Sequence, residues 1–438
     1  MYRLLVVCFS LFISGLTFAS AAPKNIILLI GDGMGEAEIA LARAYEFNGD
    51  AGMFVDTMKN QGSVIVKQFM VADPSKIEFA GSSGSGGTTI STGYRTSENR
   101  IAVSAVDGSH YKTIMEEAQE RGFKTGLVTT ANIADATPAT FAAHSQNRYC
   151  YVQGLSACDQ FGDIPTVEQF LDHNVDVMLG GGYNFLPVGE AGGGTIREKA
   201  IAHGYKVVTD REALLELEAG TKTFGLFSDG HMPVEWVGPG GRGADFIKVD
   251  DYLRANRKVI FPEPAACELN PEHKGMPKLE EMSKFALDSL KNDDEGFFLM
   301  IEGASIDKQS HEANACGTIG EMLAFDRTVK IAVDYAKKNG DTAVIVTADH
   351  GGPTQVIYRP ASFGRGVIRE QIPGLYQRLL TKGGHELAVH YGTNNYDDQS
   401  HSGVNVPIFT YGLDNPELLT GTIQQTEIYG VMKNFLFN

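Results

Sequence analysis

Asn25-Ile26-Ile27-Leu28-Leu29-Ile30-Gly31-Asp32-Gly33-Met34-Gly35 is an apolar run that stops abruptly at a carboxylate set among glycines. Five consecutive aliphatic residues with no polar alternation read as a strand buried on both faces, and the glycines behind it mark a tight turn. The same grammar recurs twice. Phe297–Ile301 runs into Glu302-Gly303, and Ala343–Thr347 runs into Ala348-Asp349-His350. Thr125–Thr129, Val175–Leu179 and Val406–Tyr411 read as further buried strands. Helical patterns separate many of them, most clearly Glu321–Lys338. There Met322, Phe325, Val329, Ala332, Val333 and Ala336 fall at helical spacing and Gly340 supplies a stop. This alternation predicts an α/β fold, a doubly wound, mostly parallel central sheet with helices on both faces. Functional groups in such folds gather beyond the carboxyl ends of the strands. A lone acid at a strand end reads as a helix cap, but three acids together with histidines nearby do not, because like charges repel.

The rest of the chain narrows the class. There are 438 residues, 43% apolar and 21% charged, with 50 glycines. That is a globular composition rich in tight turns, and its length alone would allow two or three domains. Gly189–Gly194 and Gly238–Gly243 read as surface loops. The formal net charge is −17, which disfavours non-specific nucleic-acid binding and repels phosphorylated molecules at long range. Phosphate chemistry in such a chain needs a local positive centre.

Arg3, the apolar run Leu4–Phe18 and Ala19-Ser20-Ala21 form the pattern of a secretory signal peptide. The run is too short to span a bilayer, and no later run is long enough. Cleavage after Ala21 leaves residues 22–438 as the mature chain, periplasmic or secreted, with no membrane partner. Cys150, Cys158, Cys267 and Cys316 remain. An even count in an exported chain predicts two disulfides in one of three pairings, the most local being Cys150–Cys158 with Cys267–Cys316.

Asp307 and His311 lie four apart, on one face of any helix that carries them, and a carboxylate with an imidazole suits Zn²⁺. Asp349-His350 is a second such pair at a strand end. His401 precedes the strand Val406–Tyr411.

The phrases Asn25–Gly35 (NIILLIGDGMG), Asp135–Pro138 (DATP), Glu302–Lys308 (EGASIDK) and Thr347–His350 (TADH) resemble, in order and spacing, those of bacterial alkaline phosphatases. The resemblance runs from residue 25 to the C-terminus. It implies a site of two Zn²⁺ and one Mg²⁺: Asp307, His311 and His401 on the first zinc, Asp32, Asp349 and His350 on the second, and Asp32, Thr137 and Glu302 on magnesium. Ligands spread from residue 32 to residue 401 can meet only within a single catalytic domain, here 22–438. The implied activity is hydrolysis of small phosphate monoesters through a phosphoserine.

Gly81–Gly93 (GSSGSGGTTISTG) has the composition of a flexible loop. The family pattern instead makes it a nucleophile followed by a helix. Counting back from Thr92-Gly93 places the nucleophile at Ser83, with Ser82 and Ser85 as the other choices. Arg148 aligns with the family's phosphate-binding arginine, and a guanidinium holds two phosphoryl oxygens where an ammonium holds one. Asp135 and Lys308 take positions beside the magnesium site and the phosphate.

Three departures from the family stand out. Ser82 replaces an Asp that helps hold the arginine, so Arg148 is expected to be looser and phosphate to bind more weakly. Gly352 replaces a His near a zinc carboxylate. The N-terminal arm that helps some relatives form a homodimer is absent, so a dimer is less secure. The rival readings are a phosphodiesterase or sulfatase of the same superfamily, and a non-catalytic exported phosphate- or zinc-binding protein. Arg148, the magnesium ligands and EGASIDK favour the monoesterase.

Overall fold

A computed structural model describes residues 24–189, 193–246, 248–249, 259–260, 263–291, 295–358 and 374–438. The expected signal peptide, residues 1–21, lies outside the described residues, as does part of the Gly189–Gly194 stretch. We label the strands that matter here β1 (Asn25–Gly31), β2 (Asn60–Ile65), β3 (Lys124–Asn132), β4 (Val177–Gly181), β5 (Lys206–Val208), β6 (Thr223–Leu226) and β7 (Asp245–Phe246). They continue with β8 (Phe297–Gly303), β9 (Thr342–Thr347), β10 (Thr354–Ile357), β11 (Leu375–Leu380), β12 (Glu386–Tyr391), β13 (Val406–Tyr411) and β14 (Gly421–Gln424).

The central sheet has the order β14–β2–β13–β9–β1–β8–β3–β4–β6–β5. β9, β1, β8, β3, β4, β6 and β5 are parallel throughout. β13 alone reverses, pairing antiparallel with β9 and β2. A smaller antiparallel sheet, β7–β11–β12–β10, lies apart from it. Every residue of β1, β8 and β9 is buried. That explains their unbroken apolar sequence, and each large aliphatic side chain there contributes about 1.5–3 kcal/mol.

Six helices frame the site: α1 (Glu36–Phe47), α2 (Ser83–Thr92), α3 (Ala136–Ala142), α4 (Ser305–His311), α5 (Ala315–Asn339) and α6 (Thr426–Phe437). α5 packs along β1, β8 and β9. It starts two turns before the periodic stretch Glu321–Lys338, because Asn314 caps it and its first turns approach neighbours too closely for large residues. A Cβ on Gly317 would lie 2.1 Å from Gln309 Oε1, and one on Gly320 would lie 2.8 Å from Trp236 Cβ.

Sheet register delivers the strand ends to one level. Ile30 pairs with both Glu302 and Thr347, and Glu302 pairs with Thr129. Asp32, Glu302 and Asp349 therefore emerge side by side, on strands about 4.8 Å apart. Both disulfides take the local pairing, Cys150–Cys158 and Cys267–Cys316.

The Ser/Gly/Thr-rich stretch is a helix, α2, and all ten of its residues are buried. Its small residues are a packing requirement. A Cβ on Gly86 would sit 2.4 Å from the Asp349 carbonyl oxygen, and one on Gly87 would sit 2.5 Å from Thr140 Oγ1 on α3. Helix propensity alone favours Ala over Gly by about 1 kcal/mol. We nevertheless expect Gly86→Ala to destabilise the protein by about 1–3 kcal/mol in denaturant unfolding, because the helix must back away from the Asp349 turn. An unchanged or raised midpoint would contradict this packing.

Candidate metal centre

Beyond the strand ends, the carboxylates and imidazoles foreseen from the sequence converge. α4 carries Asp307 and His311 on one face, with Asp307 Oδ2 3.2 Å from His311 Nε2. His401 closes this group, its Nε2 2.9 Å from His311 Nε2 and 3.6 Å from Asp307 Oδ1. Beside it, His350 Nε2 lies 3.2 Å from Asp32 Oδ1 and 3.6 Å from Asp349 Oδ2. The His350 and His401 rings stack with centroids 3.6 Å apart, so the two groups form one continuous cluster.

The backbone orients the imidazoles. His401 Nδ1–H donates to the Gly81 carbonyl at 2.8 Å, and His311 Nδ1–H donates to the Gln399 carbonyl. A carbonyl can only accept, so both rings carry a proton on Nδ1 and turn Nε2 into the cluster, where a metal ligand atom belongs. Asp349 is held by the backbone N–H groups of Gly33 (3.1 Å) and His350 (3.0 Å), both on Oδ1. Gly33 has a left-handed φ of 66°, and a Cβ there would lie 2.6 Å from Asp307 Oδ1. Only glycine lets this turn pass so close to the cluster.

The donor set fits cations. Asp32 Oδ1, Asp307 Oδ1, Asp349 Oδ2, Glu302 Oε1 and Thr137 Oγ1 are all buried and accept no hydrogen bond. Buried oxygens left this way cost free energy unless a cation fills the space between them. Asp307, His350 and His401 form one group with metal-ligand spacing, and Asp32, Asp349 and His350 form another. Thr129 Oγ1 donates to Glu302 Oε2 at 2.5 Å and leaves Oε1 unpartnered; like Thr137 Oγ1, it is an oxygen donor of the kind magnesium prefers.

The titration behaviour reflects the crowding. Burial, then Asp32, raise both Glu302 and Asp349 above the usual carboxylate range. Burial opposes charge on His350, but Asp349, Asp307 and Asp32 outweigh it and raise that ring. Burial and the neighbouring His350 push His401 down to about 4, which keeps it a neutral ligand. Without cations, the cluster must therefore hold protons where a metal would otherwise sit.

Next to the cluster, Asp135 receives two cations. Arg148 Nη2 donates to its Oδ1 at 2.9 Å and Lys308 Nζ to its Oδ2 at 2.7 Å. Burial opposes ionisation of Asp135, but Lys308 and Arg148 hold it well below the usual carboxylate range. Arg148 Nε is buried without a partner. The Cys150–Cys158 disulfide and the Arg148 N–H bond to the Asn99 carbonyl (2.7 Å) fix this loop.

Ser83 is the first residue of α2, and its Oγ lies 3.4 Å from His350 Nε2. The hydroxyls of Ser82 and Ser85 both donate to Gln68 Oε1. Of the three candidate serines, Ser83 is the one that faces the cluster.

Several supporting residues carry no local signal in the sequence. Gln68 and Thr129 reach the site only through the fold. Glu38 is buried behind the Asp349 turn, accepting the N–H of Gly35 (2.9 Å) and of Thr354 (3.2 Å), and burial pushes it up to about 7. A Cβ on Gly352 would lie 2.5 Å from Glu38 Oε1, so Glu38 fills the space that a side chain at 352 would need. His231 follows β6, and its Nδ1 accepts the Asn132 N–H at 3.1 Å. Burial and then Lys308 lower its pKa. Its place beyond a parallel strand end was the available signal.

Comparison with known proteins gives the family and the fold. Residues 23–398 match the family model described as Alkaline phosphatase. The chain is 36% identical to the alkaline phosphatase of Escherichia coli strain K12, over 94% of this chain and 85% of that protein. It is 35% identical to alkaline phosphatase H of Pseudomonas aeruginosa, again over 94% and 85%. The fold superposes on the alkaline phosphatase of the Antarctic bacterium TAB5 with a TM-score of 0.68 at 24% identity, covering 95% of this chain and 98% of that one.

Exhaustive chelation should lower the thermal midpoint by several degrees, and returning divalent ions should restore it. A ligand present at a thousandfold its Kd stabilises by about 4 kcal/mol, and the emptied cluster leaves Asp32, Glu302, Asp307 and Asp349 facing one another. Calorimetry of stripped and reloaded protein checks this. Identical midpoints would mean that the cluster holds no structural cation.

Proposed function

The chain belongs to the alkaline phosphatase family and is a phosphomonoester hydrolase, and we propose that it works through a phosphoserine on Ser83 at a site for two zinc ions and one magnesium ion. Asp307, His311 and His401 would hold one zinc; Asp32, Asp349 and His350 the other; Asp32, Thr137 and Glu302 the magnesium. When bound, these ions supply positive charge that favours a deprotonated serine and offsets the charge of the phosphoryl oxygens. Three divalent ions outweigh the four carboxylates by two charges, inside a chain whose formal net charge is −17.

The observation that carries the proposal is the position of Ser83, first in α2 and facing His350 while its neighbouring serines are bound to Gln68. The Ser83 oxygen attacks phosphorus in line, the bond to the ester oxygen breaks, and the alcohol leaves with a proton. Water then attacks the phosphoserine, the bond from phosphorus to Oγ breaks, and inorganic phosphate and free Ser83 result. Two in-line displacements retain configuration at phosphorus. The free N–H groups of α2 favour the dianion. Arg148 has donors left over after its bond to Asp135 and holds the non-bridging oxygens, where charge spreads in a loose transition state. Lys308, raised by Asp135, Asp32 and Glu302 against the effect of burial, stays charged beside them.

We read residues 22–438 as one catalytic unit, exported to the periplasm or beyond after cleavage at Ala21. The two disulfides support an oxidising compartment. Among the described residues no helix is long and apolar enough to cross a membrane.

Brief reaction with a ³²P-labelled monoester at mildly acid pH should label Ser83. Ser83→Ala should remove the label and lower kcat by on the order of 10³-fold or more. Label retained on another residue would sink the mechanism. Ser82→Asp should lower the inhibition constant for inorganic phosphate severalfold, by giving Arg148 a second carboxylate; an unchanged constant would show that Asp135 alone sets the clamp.

A further inference from the structure

The start of α2 carries buried hydroxyls on Ser82, Ser83 and Ser85, all within one turn. They are chemically alike, and Ser83 Oγ is the one beside the cluster, 3.4 Å from His350 Nε2. A side chain from outside the helix sets the other two apart. Gln68 Oε1 accepts the Ser82 hydroxyl at 3.0 Å and the Ser85 hydroxyl at 2.5 Å. Ser85 Oγ in turn accepts the Ser82 backbone N–H at 3.1 Å. Gln68 is itself buried, where a hydrogen bond to its carbonyl is stronger than in water.

The segment that carries Gln68 is tied to both ends of α2. Gln68–Phe69 is a short strand that pairs with Ile77–Glu78. The Phe69 N–H donates to the Thr96 carbonyl at 3.0 Å, just past the end of the helix. Before the helix, Val66 packs so closely on Gly81 that a Cβ at 81 would lie 2.5 Å from Val66 Cγ1. Gly81 is the residue whose carbonyl holds His401. One segment therefore backs the stretch that presents Gly81 to His401 and Ser83 to His350. An amide carbonyl accepts a hydrogen bond but is too weak a base to take the proton. Ser82 and Ser85 are thus kept as neutral alcohols with their protons turned to Gln68.

We propose that Gln68 is a positioning residue for the nucleophile: by holding the hydroxyls of Ser82 and Ser85 it fixes the first turn of α2 and aims Ser83 Oγ at the cluster. The family pattern has Asp where this chain has Ser82, and Gln68 anchors the residue that stands there. The inference rests on the phosphoserine reading above and adds a residue that acts through the helix rather than on phosphorus.

Rapid quench of the holoenzyme with a ³²P-labelled monoester in a single turnover gives the rate at which Ser83 is phosphorylated, and so reads the aim directly. Gln68→Met keeps the length and loses the carbonyl. It should slow that step by about 10- to 100-fold, the effect of a nucleophile misplaced by up to an ångström. The substrate concentration at half-maximal rate and the inhibition constant for inorganic phosphate should stay within about twofold, because Arg148 and the cluster are untouched. Ser82→Ala/Ser85→Ala removes the same bonds with Gln68 in place and should slow the step to a similar extent. Adding Gln68→Met to that pair should bring no further loss, whereas a role in packing alone would add its own. If Gln68→Met does not fold, the double-alanine variant decides by itself. Labelling of Ser83 at the wild-type rate in either variant, or equal losses in rate and in phosphate affinity, would overturn the role of Gln68 alone. Label on a residue other than Ser83 in the wild-type enzyme would overturn the phosphoserine reading, and this inference with it.

Discussion

Four buried carboxylates held within reach of one another are the constraint around which this molecule is organised. The parallel register of β9, β1 and β8 ends three strands at one level and sends Asp32, Glu302 and Asp349 out together, while α4 adds Asp307. Such an arrangement is unfavourable by itself. Burial and mutual repulsion drive Glu302 and Asp349 towards the protonated form, and five buried oxygens accept no hydrogen bond. The sheet can hold this geometry because β1, β8 and β9 are wholly buried, so hydrophobic burial far from the site offsets local electrostatic cost. Divalent cations held by these residues, as proposed, would remove that cost and leave the site attractive to anions.

The surroundings of the cluster are arranged to keep ligand atoms pointing inward. Backbone carbonyls of Gly81 and Gln399 set the protons on His401 and His311. These acceptors come from the segment before α2 and from the loop before β13, so the imidazoles are positioned by chain segments far apart in sequence. Gly33 and Gly86 remove the side chains that would otherwise separate the β1 turn from Asp307 and α2 from Asp349. Glu38 plays a related part behind the Asp349 turn. It fills the room next to Gly352 and accepts two backbone N–H groups, so the glycine at 352 is matched by a buried acid.

What the sequence made legible follows from what is local. Strands buried on both faces show as unbroken apolar runs, so β1, β8 and β9 and the acids that end them could be read directly. The Asp307–His311 pair was legible because one helical turn brings i and i+4 together. α2 was not legible from composition, since a buried helix made almost wholly of Ser, Gly and Thr looks like a loop; the family pattern was needed to recover it. The edge strands β5 and β14, and β2 next to the edge, are partly exposed, which weakens their apolar signal. Gln68, Thr129, Glu38 and His231 act across the fold, and no spacing rule links them to their partners.

Asp135 accounts for how Arg148 is held although Ser82 stands where the family pattern has an acid. The family pattern led to the expectation that Ser82, in place of Asp, would leave Arg148 less firmly held. Here Arg148 is bound to Asp135, its loop is closed by the Cys150–Cys158 disulfide, and its backbone N–H is tied to Asn99. One carboxylate shared between Arg148 and Lys308 cannot neutralise both, so one positive charge remains beside the cluster. A second carboxylate at position 82 would offset part of that charge but hold the guanidinium harder, and the firmer orientation is the larger effect. Orientation of the arginine and attraction of the anion therefore pull in opposite directions, and this chain secures the first mainly through a braced loop, which leaves the second intact.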